Sequence, residues 1–532
     1  MKSFPSVYYA TISKLASPAQ FRSDFPMLIR ALLLCALGVL PLGLLGATTS
    51  PLASAPTEFV RAQATSAIQW HPWTEAVLNE AKQQNKSVYV FVGSPLSELT
   101  RATISQTFGS AKTVAWINES FFPIFVDAEA QPDVAAYAQH FIVSVKQLRG
   151  SPVHLWLTPD TLQPYDGANY LPPSEEWGKP GFLKAARGAL DSWTNDPARA
   201  RALATEALNM MRLPTLDPTA KLDIEAKLDA ATKAWFAAID PINGGFGAAP
   251  KLPEPEVIRF LLKRGPAAQA AALNAARALV NGATRDPVDG GFYRRCMDEA
   301  WKEPYRQKLL VDQARIALAL FEAADVAKDE KLRAAGIGAL DFVLKEMKNA
   351  DGSLAMALDG TLDENADPMK RPKFARIESA ATGSQALLAV ALLRAGEKRF
   401  MAEANKLTAG LKQPVLAHIV GLAAEGTATD GLAAVLALRA SSDPATADRM
   451  QTWVTTRFFD AASGAFQASA ASLPPGIAIR VPTNGDTPSA EVLALLAGVD
   501  AKTADLIRRN LMMQIEYDEL PPGDVLLGLS QE

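Results

Sequence analysis

The chain has 532 residues, 48% of them apolar and 21% charged, with a formal net charge of −4. That length exceeds one ordinary domain, and the composition is that of a globular protein with enough apolar material for more than one core. So mild an acidic balance, without a long basic run, excludes an electrostatic footprint for nucleic acid or an anionic surface.

Residues 1–55 read as an N-terminal extension followed by a signal peptide or anchor. Ala31 to Ala47 is uncharged, rich in Leu and Ala, and preceded by Arg30; small residues then lead to Ala53-Ser54-Ala55, an Ala-x-Ala cleavage pattern. Translation from Met27 rather than Met1 would leave a short, well-formed signal peptide, which N-terminal sequencing of the native product would establish. The apolar run is about 17 residues, short of the roughly 20 that a span requires, and Pro41 interrupts it. The expectation is cleavage and export to a periplasmic or extracellular space. The alternative is inner-membrane anchoring by residues 30–47, with membrane contact through that segment alone. Of the two cysteines, Cys35 lies in this segment, so a processed chain keeps Cys296 and forms no internal disulfide.

From 61 to 193, strands expected at 87–92, 122–126 and 153–158 alternate with helices at 75–86, 97–107, 132–147 and 180–192, which is an α/β pattern. Gly167 to Pro180 reads as a loop. Trp70 and Trp73 are expected to fasten the leading segment to this unit's core. Asp127, Glu129 and Asp133 read as a solvated loop. From 197 to 532 no strand is expected. Ala-rich amphipathic segments recur at 197–212, 220–238, 254–263, 266–282, 306–327, 329–348, 379–395, 397–411, 430–441, 443–459, 488–498, 501–515 and 523–530. Turns such as Gly244-Gly245-Phe246 and Gly290-Gly291-Phe292 separate pairs of them, where glycine supplies positive φ and the aromatic folds onto the core. Repeated helical hairpins imply a solenoid or a closed six-hairpin toroid.

Several motifs are similar to those of the spermatogenesis-associated thioredoxin-like family, in which a thioredoxin-like domain precedes an α/α toroid. Gln69-Trp70-His71-Pro72-Trp73 resembles its W-x-P-W, Gly93 to Phe108 keeps its spacing through G-Y-S-x-C-H-W-C-H-V-M, and Gly244 to Pro253 and Gly290 to Trp301 resemble its G-G-F blocks. The resemblance implies an α/β plus all-α fold: a thioredoxin-like domain followed by an (α/α)6 toroid. It also places Ser97 and Thr100 where the family has its Cys-x-x-Cys pair, at a helix N-terminus that would lower a thiol pKa, and puts Arg101 where the next His stands. Hydroxyls form no disulfide, so these are degenerate redox positions. Ser151-Pro152 stands where such folds place a cis-proline. Tyr293, Tyr305, Gln307 and Gln313 are further departures from the family pattern.

The chemistry-bearing residues are few. With four histidines, only His418 in the helical half, a two-His acid–base pair lacks a second member, and His418 reads as a capped or half-buried helical residue. The weak catalytic candidates are Asp298, Glu299, Lys308 and Asp312, with Lys308 and Asp312 expected as an i, i+4 pair on one helix. Lys251, Arg294, Trp301 and Pro152 are the binding candidates. No metal-ligand spacing or phosphate loop occurs, so no metal and no cofactor are expected. The reading is an exported protein without thiol–disulfide activity, a binding or structural protein that works through the toroid cavity or the domain interface, with carbohydrate or protein as its ligand. The alternatives are a carbohydrate-active enzyme of epimerase or glycosidase type and a thiol-independent chaperone using the face around Pro152.

Overall fold

A computed structural model of the chain describes residues 50–217, 219–361, 373–413, 415–421, 425–470, 472–483, 499–515 and 520–530. The export segment and the helix expected at 488–498 lie outside the described residues. Among the described residues, no helix is long and apolar enough to cross a membrane.

The first unit is a five-stranded sheet of β1 (His71–Pro72), β2 (Val88–Gly93), β3 (Phe122–Asp127), β4 (Val153–Leu157) and β5 (Pro164–Ala168), in the order β1-β3-β2-β4-β5. β1, β3 and β2 are parallel, and β4 and β5 run antiparallel. Strand alternation divides β2 between two cores: Val88, Val90 and Val92 enter one, and Tyr89 and Phe91 the other. Helices cover both faces, so the strand is apolar throughout. They are α1 (Glu75–Gln84), α2 (Glu98–Ala102, continued by one wider turn to Thr107), α3 (Ala111–Ser120), α4 (Pro132–Lys146), α5 (Phe182–Asn195) and α6 (Pro197–Met210). Trp70 is buried against Tyr89, Phe91, Phe108 and Phe125.

Three expectations are corrected here. β5 occupies part of the stretch read as a loop, because an edge strand tolerates Pro164 and Gly167. α6, expected to open the helical half, packs instead on the sheet: Ala200 and Ala204 enter one of its cores and Ala207 and Leu208 the other. Asp127 is buried rather than solvated and accepts a hydrogen bond from Thr57 Oγ1 at 2.8 Å.

The second unit is a ring of helical hairpins. Its described inner helices are α8 (Pro255–Leu261), α10 (Leu310–Ala327), α12 (Thr382–Ala395), α14 (Ala428–Ala440) and α17 (Gly523–Leu529). α7 (Ile224–Ala237), α9 (Pro266–Asn281), α11 (Glu330–Glu346), α13 (Lys398–Gly410), α15 (Pro444–Phe458) and α16 (Ala501–Gln514) flank them. Each described inner helix touches the next in sequence through α14, and α17, the last of them, packs back on α8, the first. A Cβ at Gly523 would stand 2.6 Å from the Val257 backbone, and Trp235 Nε1 donates to Pro521 O at 2.8 Å across the same join. α12 and α14 are apolar round most of their circumference because they are sandwiched between neighbours. The fold is therefore α/β plus all-α, a thioredoxin-like unit followed by an α/α toroid.

The two ends of the ring differ. Links such as 328–329 and 396–397 are short, whereas long connections run into the N-termini of the inner helices. The glycine turns lie at this end, with Gly245 at φ 76° and its α-carbon facing Trp301. The long connections also carry strands absent from the sequence reading: β6 (Gln307–Leu309), β7 (Ala357–Asp359) and β8 (Ala375–Ile377) pair antiparallel in the order β8-β7-β6.

Candidate functional site

The thioredoxin-like unit rests on this long-loop end by the corner that follows β2. Ser97 caps α2 by accepting from Thr100 N at 3.2 Å. The Ser151–Pro152 bond is cis, and its loop closes on the same corner: Ser97 Oγ donates to Ser151 O, and Thr100 Oγ1 meets Ser151 Oγ, both at 3.4 Å. Thr100 is fully buried. Two hydroxyls therefore stand beside a cis-proline at the start of a helix.

The ring holds this corner through a polar seam. Gln307 Nε2 donates to Leu96 O at 3.0 Å and to Asp359 Oδ2 at 2.7 Å, while its Oε1 accepts from Arg294 Nη1 at 3.1 Å. Asp359 is fully buried and forms an ion pair with Arg101 at 3.3 Å. Arg101 also donates to Thr361 Oγ1 at 2.7 Å, and Tyr305 Oη donates to Glu98 Oε2 at 3.3 Å. Leu96 packs on Met356, Ala381, Ile377 and Ile419. Farther along, Trp73 Nε1 donates to Pro475 O at 3.0 Å, so that tryptophan fastens the units together as well as its own core.

The other predicted residues are distributed differently. Lys251 is fully buried, its ammonium bonded to Asp240 and to Gly244 O and facing the Trp301 ring. Trp301 Nε1 donates to the same carbonyl at 3.1 Å, so both side chains brace the Gly244-Gly245 turn rather than face outward. Lys308 is on β6, not on a helix, and pairs with Asp286 at 2.8 Å and Asp289 at 2.7 Å; the expected Lys308–Asp312 pair is corrected accordingly. Asp312 lies in the first turn of α10. Asp298 accepts from the N–H groups of Ala300, Lys302 and Glu303, and Glu299 is exposed. Pro152 is buried, so the face expected to meet a partner is covered. Arg294 alone among the binding candidates reaches the seam.

The histidines are structurally engaged. His71 stacks on Phe122, His140 meets Met211 O, and His154 is buried against Tyr89 Oη with its pKa driven down by burial to about 3. His418 lies in a loop, not a helix. Burial pushes the Cys296 thiol up to about 12, helped by Asp298 and Glu303, so it is no ready nucleophile. Among the described residues no group of three His, Cys, Asp or Glu is placed to hold a metal ion.

Glu254, missed in the sequence, precedes inner helix α8. Burial raises its pKa to about 7, and Glu256 and Asp524 add repulsion. A raised carboxyl pKa means that the folded state binds the proton more tightly, so the group's penalty is absent below about 4.5 and fully felt above about 7. Glu254→Gln is therefore expected to stabilise the protein at pH 8 by up to about 3 kcal/mol and to do little at pH 4. Thermal melts of both proteins at the two pH values check this; a variant that melts lower at pH 8 refutes it.

A thioredoxin-like unit seated on the long-loop end of a helical ring defines the class of protein. Residues 49–212 match the family Thioredox_DsbH, described as "Protein of unknown function, DUF255", and the resemblance to the spermatogenesis-associated thioredoxin-like family holds. Spermatogenesis-associated protein 20 of Rattus norvegicus is 26% identical over 325 residues, 59% of this chain and 41% of that protein. An uncharacterized protein of Caenorhabditis elegans is 24% identical over 265 residues, 48% of this chain and 36% of its own. The chain thus spans about two fifths of the length of these relatives. A crystal structure of a sugar epimerase from a ruminal bacterium aligns with 56% of this chain and 86% of its own, at 14% identity and a TM-score of 0.44.

Proposed function

We propose that this is a binding protein without thiol–disulfide activity, exported or held at a membrane by its N-terminal segment, which takes a small polar ligand of carbohydrate type at the seam. The observation that carries this reading is the corner itself. Ser97 and Thr100 stand beside cis Pro152 with their hydroxyls engaged, and Gln307, Arg101 and Tyr305 tie the corner to the ring. Arg101, Tyr305 and Gln307 are themselves departures from the family pattern, so replacement of the cysteines accompanies replacement of their surroundings. Burial of Pro152 favours a small ligand over a polypeptide client. Adjacent Asp298 and exposed Glu299 speak against two carboxylates flanking one bond, and hence against the glycosidase reading.

Insulin reduction is expected to stay at the background rate of the reductant, and faster precipitation would refute the redox-inactive reading. A thermal-shift series with mono- and disaccharides tests the ligand class. Ligand at about 100 times its dissociation constant adds about 2.7 kcal/mol of stability, so a saturable rise in Tm is expected, and Arg294→Ala should abolish it. No shift with any sugar, or a shift unchanged in Arg294→Ala, overturns the seam as the binding site.

A further inference from the structure

His418 projects from the ring between two acceptors on different units. Its Nδ1 is 2.7 Å from Asp430 Oδ2 at the start of α14, and its Nε2 is 2.8 Å from Glu129 O, just past β3 of the thioredoxin-like unit. Neither acceptor carries a hydrogen, so only the imidazolium, with a proton on each nitrogen, satisfies both; a neutral ring leaves one oxygen facing a lone pair. Asp430 is fixed by three further donors: Gly383 N at 2.8 Å, Thr427 N at 2.8 Å and Thr427 Oγ1 at 2.9 Å. The charged groups around the imidazole are carboxylates from each neighbouring element: Asp430 on α14, Asp127 at the end of β3, Glu129 in the turn beyond it, and Asp133 in the first turn of α4.

We propose that His418 is an ionic latch between the thioredoxin-like unit and the ring, acting beside the seam contacts, and that this joint loosens when the imidazolium loses its proton. The proposal does not depend on what the seam binds. Burial opposes the charge, but Asp430, with the Glu129 carbonyl and carboxylate, overrides it and lifts the pKa to about 9. A folded pKa above the unfolded value means the latch is at full strength below about 6.5 and is lost as pH rises through about 9. The latch is therefore closed throughout the neutral range and opens only in alkali.

Two measurements on the full chain test this. With histidine labelled at Cε1, the resonance missing from His418→Gln identifies His418, and its titration midpoint is expected near 9. A midpoint of 6 to 7 overturns the proposal. Thermal melts at pH 7.5 and 10 should show His418→Gln melting below the wild type at pH 7.5 and together with it at pH 10. A gap that is the same at both pH values, or no gap at pH 7.5, refutes the latch.

Discussion

Lys308→Met is expected to cost about 3–5 kcal/mol, because removing one partner of a buried ion pair leaves an uncompensated charge. The Lys308 side chain has no exposure, and Asp286 and Asp289 are 3% and 4% exposed. Tyr293, Phe342 and Phe374 surround the ammonium at 4.5–5.2 Å from their ring centroids, a cation–π environment that methionine fills without charge. Two carboxylates would then share a dry pocket with neutral donors in place of the ammonium: Tyr293 Oη at 2.8 Å and Val288 N at 2.9 Å to Asp286, and Gly291 N at 3.1 Å to Asp289. In the wild type, burial works to raise the Asp286 pKa, yet Lys308 holds it below the ordinary carboxylate value. A depressed carboxyl contributes stability above its unfolded pKa and loses it as pH falls through the folded value. The deficit of the variant should accordingly be largest near neutrality and narrow below about pH 4. Urea unfolding at pH 7 and pH 3.5 measures both; equal deficits at the two values would show that the cost is packing alone.

The contrast between that pair and the one read from sequence marks what was legible. Periodicity located helices wherever an apolar stripe repeats, because that signal is local. Residues 307–309 continue the stripe of α10 as far as composition can tell, yet they join β7 through hydrogen bonds from 357–359, some fifty residues away. The partners of Lys308 lie in the preceding glycine turn, where no i, i+4 rule points. The family resemblance did place Ser97 at the start of α2 and a cis-proline at Pro152, since both are fixed by short segments at the ends of buried strands. Their covering was not legible, because the covering residues come from β6, β7 and the loop carrying His418. Similarly, α6 looks like any Ala-rich ring helix, and only the sheet it meets decides its unit. Glu254 gives no signal in a chain whose acidic residues mostly sit on solvated helix faces; its perturbation arises from α17 returning to α8.

The seam predicts the other large effect. Arg101→Ala leaves Asp359 fully buried without a cation, while Asp359→Ala leaves Arg101, which is 21% exposed, able to turn to water. Removal of the arginine should therefore be the more damaging, at about 3 kcal/mol against about 2 for the aspartate, since a stranded buried charge costs more than a solvated one. The Asp359 carboxylate also accepts from Thr361 N at 2.8 Å and from Gln307 at 2.7 Å, so the loss is partial and the ring itself should remain folded. A double-mutant cycle isolates the pair, and about 1–3 kcal/mol of coupling is expected for contacting residues in one network. Hydrogen exchange decides where the coupling acts. Peptides covering 94–101 and 357–361 should exchange faster in either single variant, with α10 and α11 unchanged. Uniform acceleration through the ring would mean that Asp359 supports the helical unit alone and that the corner merely lies against it.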